Sequence, residues 1–214
     1  MLDYAIEYEI IDKNPARSFR MKEKVKHNPG AHNAFTDEEL NILWEHSDDE
    51  IASIVLIHCY MGWRPTEICN IKLSDVNIQD WVITGGIKTE NGINRSVPIH
   101  SKIRKLVQKK YDRAIELGSK YLFNCENIRG GSRALPMKYE MYQRRFYQLR
   151  SELNIGEYHT LHDCRKQFVT MAKAANIDEY ALKRLAGHSI EDLTERVYTE
   201  RSLDWLRSEI EKIK

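Results

Sequence analysis

The run from Ile51 to Met61 is apolar almost all round. A helix without a polar face cannot lie on a surface and has to be enclosed by other elements. The run therefore predicts one buried helix with the rest of the chain packed about it. Gly62 follows where helices commonly end on a left-handed glycine, and Pro65 suits the first turn of a new helix. Arg64 falls at the junction, with Glu67 three residues on and within reach of its guanidinium. Taken alone, that pair reads as a surface ion pair.

Further helices are signalled on both sides. Thr36 and Glu39 have the spacing of a capping box, and Leu40, Leu43 and Trp44 follow at helical intervals. Ser101–Leu117 is amphipathic, with Ile103, Leu106 and Val107 inward. Tyr139–Leu153 mixes Tyr and Arg, but Tyr142, Phe146 and Leu149 have core spacing. Leu203, Leu206 and Ile210 mark an amphipathic C-terminal helix, whose apolar stripe needs burial either on its own body or on a neighbouring copy. Between these lie three β-prone runs, Trp81–Thr84, Ile87–Thr89 and Arg95–Ile99, separated by Gly85-Gly86 and by Asn91-Gly92, a strong hairpin signal. The expected fold is mainly α with a small three-stranded antiparallel β-sheet, an α+β arrangement. Lys88 sits on the middle run; a lone lysine there is ordinarily a solvent residue.

With 214 residues the chain can build one sizeable core or two small ones. No apolar run reaches membrane-spanning length, and the N-terminus lacks a signal-peptide pattern. Cys59, Cys69, Cys125 and Cys164 form no Cys-x-x-Cys pair, which points to reduced thiols in or near the core rather than to a metal site. A net charge of +1 argues weakly against a nucleic-acid partner. The charge is uneven, however: Arg129, Arg133, Lys138, Arg144, Arg145 and Arg150 cluster, while acids gather at Asp37–Glu39 and Asp48–Glu50. Solvated helix charges account for any one of them equally well.

At the N-terminus, Leu2–Glu7 reads as a helix that the Asn14-Pro15 turn closes off, and Arg17–Gly30 has the basic, apolar-poor composition of a linker. We expect residues 1–30 and 31–214 to be separate parts.

The densest stretch of polar signals runs from Tyr158 to Tyr198. Thr160 and Asp163 have the Thr-x-x-Asp spacing of a helix start, which sets His162 and Arg165 on one face of the first turns. Helix N-termini attract phosphate. A second helix is expected from near Asp178 to Gly187, with His188 on the turn directly after the cap. Ser189 and Asp192 suggest a third start, with Tyr198 near its end. In order along the chain, Arg64, Lys88, His162, Arg165, His188 and Tyr198 match the signature of the tyrosine recombinases, or phage-type integrases, and the chain resembles that family over nearly its whole length. Cys164 stands where the family commonly has leucine, and a small apolar thiol suits such a core slot.

The resemblance implies a catalytic-domain-like fold. It implies that residues 1–30 are the end of a preceding DNA-clamping, core-binding domain with its linker, and that 31–214 are the catalytic domain. The activity implied is site-specific recombination, by strand cleavage and rejoining through a 3′-phosphotyrosyl bond, in integration or excision of a mobile element. Tyr198 would be the nucleophile, and Arg64, Arg165 and His188 would stabilise charge on the phosphate. His162 would act as base and later acid, and Lys88 would protonate the leaving 5′ oxygen. No cofactor or metal is implied. The partners implied are double-stranded DNA, other copies of the chain in a tetramer exchanging their C-terminal segments, and an accessory directionality protein. The implied setting is the cytoplasm, in association with the nucleoid, for a bacterial or phage-encoded protein. Two other readings fit the same signature: a non-catalytic architectural DNA-binding protein on the same fold, and a related DNA-relaxing topoisomerase.

Overall fold

The computed structural model describes residues 2–8, 10–12, 14, 33–86, 94–124, 134–188 and 202–214. The chain divides by packing into two units, Met1–Ala31 and His32–Lys214. In the first, helix α1 spans Leu2–Glu7 and brings the rings of Tyr4 and Tyr8 to 4.3 Å between centroids.

The second unit opens with α2 (Asp37–Glu45), started by the expected capping box. The Glu39 amide donates to Thr36 Oγ1 (3.2 Å), and the Glu39 carboxylate accepts from the Thr36 amide (2.8 Å). Helix α3 (Glu50–Met61) is capped by Asp49, whose carboxylate accepts from the amides of Ile51 and Ala52. Every residue of α3 from Ile51 to Met61 is buried, as its unbroken apolar surface demands. Its buried polar side chains are satisfied: His58 donates from Nε2 to the Trp63 carbonyl at 2.9 Å, and Ser53 from Oγ to the Glu50 carbonyl at 2.8 Å. A short α4 (Pro65–Ile68) and a 3-10 turn (Leu73–Asp75) lead into the sheet.

The sheet is three-stranded and antiparallel in the order β1 (Val76–Asn77), β2 (Val82–Gly85), β3 (Arg95–Pro98). Its register sets Val76 opposite Ile83 and Gly85 opposite Arg95. The strand count agrees with the sequence reading, but the first strand differs. At two residues β1 is too short for alternation to reveal, and pairing alone defines it. Trp81 is not in a strand; it sits in the preceding turn with φ 51°, where the Asp80 amide donates to the Asn77 side chain (2.8 Å). The expected run Ile87–Thr89 lies outside the described residues.

Beyond the sheet come a 3-10 turn (Ser101–Ile103), α5 (Arg104–Glu116), α6 (Tyr139–Glu152), α7 (Leu161–Ala174), α8 (Glu179–Ala186) and α9 (Leu203–Ile210). Helix α3 is the axis: α7 packs along it, and α2, α5 and α6 complete its enclosure. The stripe of α9 is buried on its own unit, where Leu206, Ile210 and Ile213 join the core beside β3 and α8. His100 ties the end of that segment by a 2.9 Å bond from Nε2 to the Ile213 carbonyl.

Part of the anticipated basic cluster is used internally. Arg145 pairs with Glu50 at 2.8 Å, and Arg150 donates to the His159 carbonyl while its guanidinium lies over Tyr147. Their charges were legible in the sequence, but the partners that engage them are distant along the chain. Arg129 and Arg133 lie outside the described residues. Cys59, Cys69 and Cys164 are buried and unbridged, while Cys125 lies outside the described residues. Among the described residues no helix is long and apolar enough to cross a membrane.

Candidate active site

The site begins where α3 stops. Gly62 turns the chain with φ 64°, and the Phe168 ring occupies the space a side chain would need: an added Cβ would stand 2.4 Å from Phe168 Cδ1. This turn presents the Gly62 carbonyl to α7, where Arg165 Nη1 donates to it at 2.7 Å. Two residues on, Arg64 is the N-cap of α4. Its amide donates to Glu67 Oε2 (2.9 Å) and its Nη1 to Oε1 (3.0 Å). Its Nη2 reaches across to the Gly187 carbonyl at 3.3 Å, linking the α3–α4 junction to the end of α8.

Helix α8 is capped by Asp178 at its start and closed by Gly187 at φ 68°. The His188 amide donates back to the Lys183 carbonyl at 2.9 Å, so the cap itself fixes where His188 leaves the helix. Arg64, Arg165 and His188, from three separate parts of the sequence, are thereby brought together.

A residue that the sequence reading did not single out completes the cluster. Arg95, the first residue of β3, is buried and donates from Nη2 to Glu67 Oε2 (2.9 Å) and from Nη1 to Oε1 (3.4 Å). Its guanidinium lies 4.0 Å from the centroid of the Trp63 ring. A lone arginine just after an Asn-Gly turn reads as solvent-exposed, and nothing local in the sequence signals otherwise. The cue lies in the pairing register, which sets Arg95 opposite the side-chain-free Gly85.

The electrostatics follow from burial and sign. Burial alone would raise the Glu67 carboxyl, but the Arg95 hydrogen bond, the Arg64 amide and the charges of both guanidiniums outweigh it and hold the group at about 2. Burial, with the charges of Arg64 and Arg95, lowers Arg165 to about 10, against the opposing pull of Glu67. His188 is exposed on one side. Partial burial on the other, with the charges of Arg165 and Arg64, pushes its imidazole below the ordinary histidine value; Glu179 opposes the shift and Arg95 adds to it. Three guanidiniums and one carboxylate leave the cluster with surplus positive charge.

His162 occupies the first turn of α7, one turn before Arg165, and is exposed. It lines an open depression of ≈ 420 Å³ with Tyr139, Gln143, Thr160 and Lys166. The start of α7 is anchored by Asp163, whose carboxylate accepts from the Thr160 amide at 2.8 Å. A second anchor is His159, which lies stacked on Phe35 with its Nε2 3.0 Å from Glu39. Lys88 and Tyr198 lie outside the described residues. Among the described residues, no group of three or more His, Cys, Asp or Glu is arranged to hold a metal ion.

A family model described as "Phage integrase family" matches residues 33–203. The chain belongs to the phage integrase family. As a member it is 28% identical over 184 residues to the tyrosine recombinase XerA of Pyrococcus horikoshii, covering 85% of this chain and 61% of that protein. The chain thus spans about three fifths of the length of that curated relative. The solved Tn1549 transposon integrase, in complex with circular intermediate DNA, superposes with a TM-score of 0.66 at 22% identity, over 97% of this chain and 74% of that one. A lambda integrase dimer bound to a COC′ core site gives 0.63 at 16% identity, over 94% and 58%. At such identities the likeness is one of fold: this integrase-family chain has the same mainly helical architecture with a small antiparallel sheet.

Proposed function

We propose that this chain carries out site-specific recombination of double-stranded DNA, cleaving and rejoining strands through a 3′-phosphotyrosyl bond during integration or excision of a mobile element. The observation that carries the reading is the convergence of Arg64, Arg165 and His188 around a surplus of positive charge, in a chain of the phage integrase family. A phosphodiester gathers charge on its non-bridging oxygens in the transition state, and guanidinium forks match that geometry while staying ionised. Arg165, although lowered to about 10, remains protonated at neutral pH. His188 is neutral there and offers one N–H donor.

In this reading the Tyr198 oxygen attacks phosphorus, the bond to the 5′ oxygen breaks, and Lys88 delivers a proton to that oxygen. His162 takes the tyrosine proton and returns it when a 5′-hydroxyl attacks in the reverse sense. The phosphotyrosyl bond conserves the energy of the broken linkage, so rejoining needs no further input. Residues 1–30 belong to the end of a core-binding domain and its linker, and 31–214 to the catalytic domain; the separate packing of Met1–Ala31 supports this division. DNA and further copies of the chain are the partners, supported by the DNA in the Tn1549 complex and the dimer in the lambda complex. A tetramer on DNA, an accessory directionality protein and a place at the nucleoid in the cytoplasm complete the proposal.

The test is a pool of nicked suicide duplexes of randomised sequence, incubated with the protein and screened for adducts that survive detergent. A DNA-linked peptide containing Tyr198, absent from Tyr198→Phe, is the expected result. Failure to recover any adduct, or linkage through another tyrosine, would overturn the assignment.

A further inference from the structure

Glu67 is surrounded rather than paired. Its side chain is fully buried, and its two oxygens accept from the Arg64 amide, Arg64 Nη1, Arg95 Nη2 and Arg95 Nη1. Four donors fill the acceptor capacity of one carboxylate. The two arginines that share it differ in access. The Arg64 side chain is 22% exposed, whereas that of Arg95 is 5% exposed, with its guanidinium over the Trp63 ring. Arg95 also presses on the turn that carries His188: a Cβ added to Gly187 would stand 2.8 Å from Arg95 Nη1.

This asymmetry has a chemical meaning. A buried carboxylate facing a single guanidinium would cancel the charge of that guanidinium and hold it by a strong ion pair. Were Arg64 alone with Glu67, its charge would be committed to Glu67 and largely lost to a phosphate. A second, inaccessible guanidinium satisfies the carboxylate from the far side. We propose that Arg95 is a positioning residue: it neutralises Glu67 from within the fold, so that Arg64 is oriented by Glu67 yet keeps its charge for the phosphate. This inference rests on the recombinase reading of the site.

The experiment compares wild type, Arg95→Met, Arg95→Lys and the double variant Arg95→Met/Glu67→Gln on the nicked-duplex pool, following adduct rate at saturating DNA, DNA Kd and Tm. Arg95→Met is expected to slow adduct formation by about 10²-fold, the scale of a misplaced catalytic group, with DNA Kd changed far less because contacts along the rest of the duplex dominate binding. Arg95→Lys recovers part of the rate, since it keeps the charge but not the fork. The double variant is faster than Arg95→Met despite losing a second native group, because removing the Glu67 charge releases Arg64. A double variant no faster than Arg95→Met overturns the proposal and leaves Arg95 a strut. A loss in Kd that matches the loss in rate overturns it in favour of DNA binding. If Arg95→Met does not fold, Arg95→Gln, which can still hydrogen-bond Glu67, takes its place in both comparisons.

A second arm needs no DNA: the affinity for inorganic phosphate, read from the His188 imidazole resonances. It is expected to fall in Arg95→Met and to return in the double variant. That pattern in a wild type that forms no adduct would overturn the recombinase reading while leaving the role of Arg95 standing. Unchanged phosphate affinity in all variants would overturn the role of Arg95 whatever the DNA result.

Discussion

Arg165 is held by the carbonyl of Gly62, 2.7 Å away and 103 residues earlier in the chain. The position of one arginine of the cluster therefore depends on the backbone turn that precedes the other. Gly62→Ala places a Cβ against the Phe168 ring at a positive φ. We expect it to cost about 1–3 kcal/mol in denaturant unfolding and to slow adduct formation more than that loss explains, because the carbonyl moves. Adding Phe168→Leu should recover stability by removing the ring. If Gly62→Ala matches the wild type in both measurements, the turn does not set Arg165.

Acid should weaken the fold in two pH windows, with His188 and His100 acting in the upper one and Glu67 and Glu39 in the lower. The folded His188 takes up a proton less readily than the unfolded chain does, so stability falls as pH drops below the ordinary value of 6.5. Glu67 is held at about 2, against an unfolded value of 4.5. Its contribution is fully present above 4.5 and is lost as pH falls from there toward about 2. At neutral pH Glu67→Gln should cost on the order of 3 kcal/mol, since it leaves Arg95 buried without its counter-charge. The gap between variant and wild type should narrow between pH 4.5 and 2. Unfolding curves at stepped pH check this; a gap that stays constant would mean that Glu67 is not ionised in the folded state.

These two predictions also mark what the sequence could reveal. The enclosed helix α3, the capping boxes at Thr36 and Thr160, and the glycine stops at Gly62 and Gly187 were all legible, because each is written within a few neighbouring residues. The same locality placed Glu67 beside Arg64. Arg95 was not legible as part of the site, since its partners Glu67, Trp63 and Gly187 all come from elsewhere in the chain. Strand β1 escaped for a related reason: its only evidence is its pairing with Val82 and Ile83.

Helix α9 should behave as core. Ile210 is fully buried and Leu206 nearly so. Ile210→Ala is expected to cost about 2–5 kcal/mol, as large-to-small changes in packed interiors do. Deleting residues from Ser202 onward should lower Tm even in a dilute monomer. A truncated chain that melts like the full one would assign α9 to contacts between copies instead.

Lys88, proposed as the acid, separates from the arginines by leaving group. A 5′ sulfur in the bridging position departs without a proton, because a thiol is far more acidic than an alcohol. Lys88→Ala should therefore cleave ordinary DNA about 10²–10⁴-fold more slowly, yet cleave the phosphorothiolate near the wild-type rate. Arg64→Ala and Arg165→Ala should not be rescued to that extent. Equal defects of Lys88→Ala on both substrates would reduce it to a phosphate contact.

The packing of α9 against β3 also sets a timetable for synthesis. A ribosome adds residues at roughly 5–20 per second, so Leu206 and Ile210 emerge on the order of 5–20 s after Arg95. Until they arrive, one side of β3 lacks its cover and the strand that carries Arg95 has nothing to hold it in place from that side. Nascent chains halted before α9 should therefore hold Arg95 against Glu67 less firmly than the completed chain does.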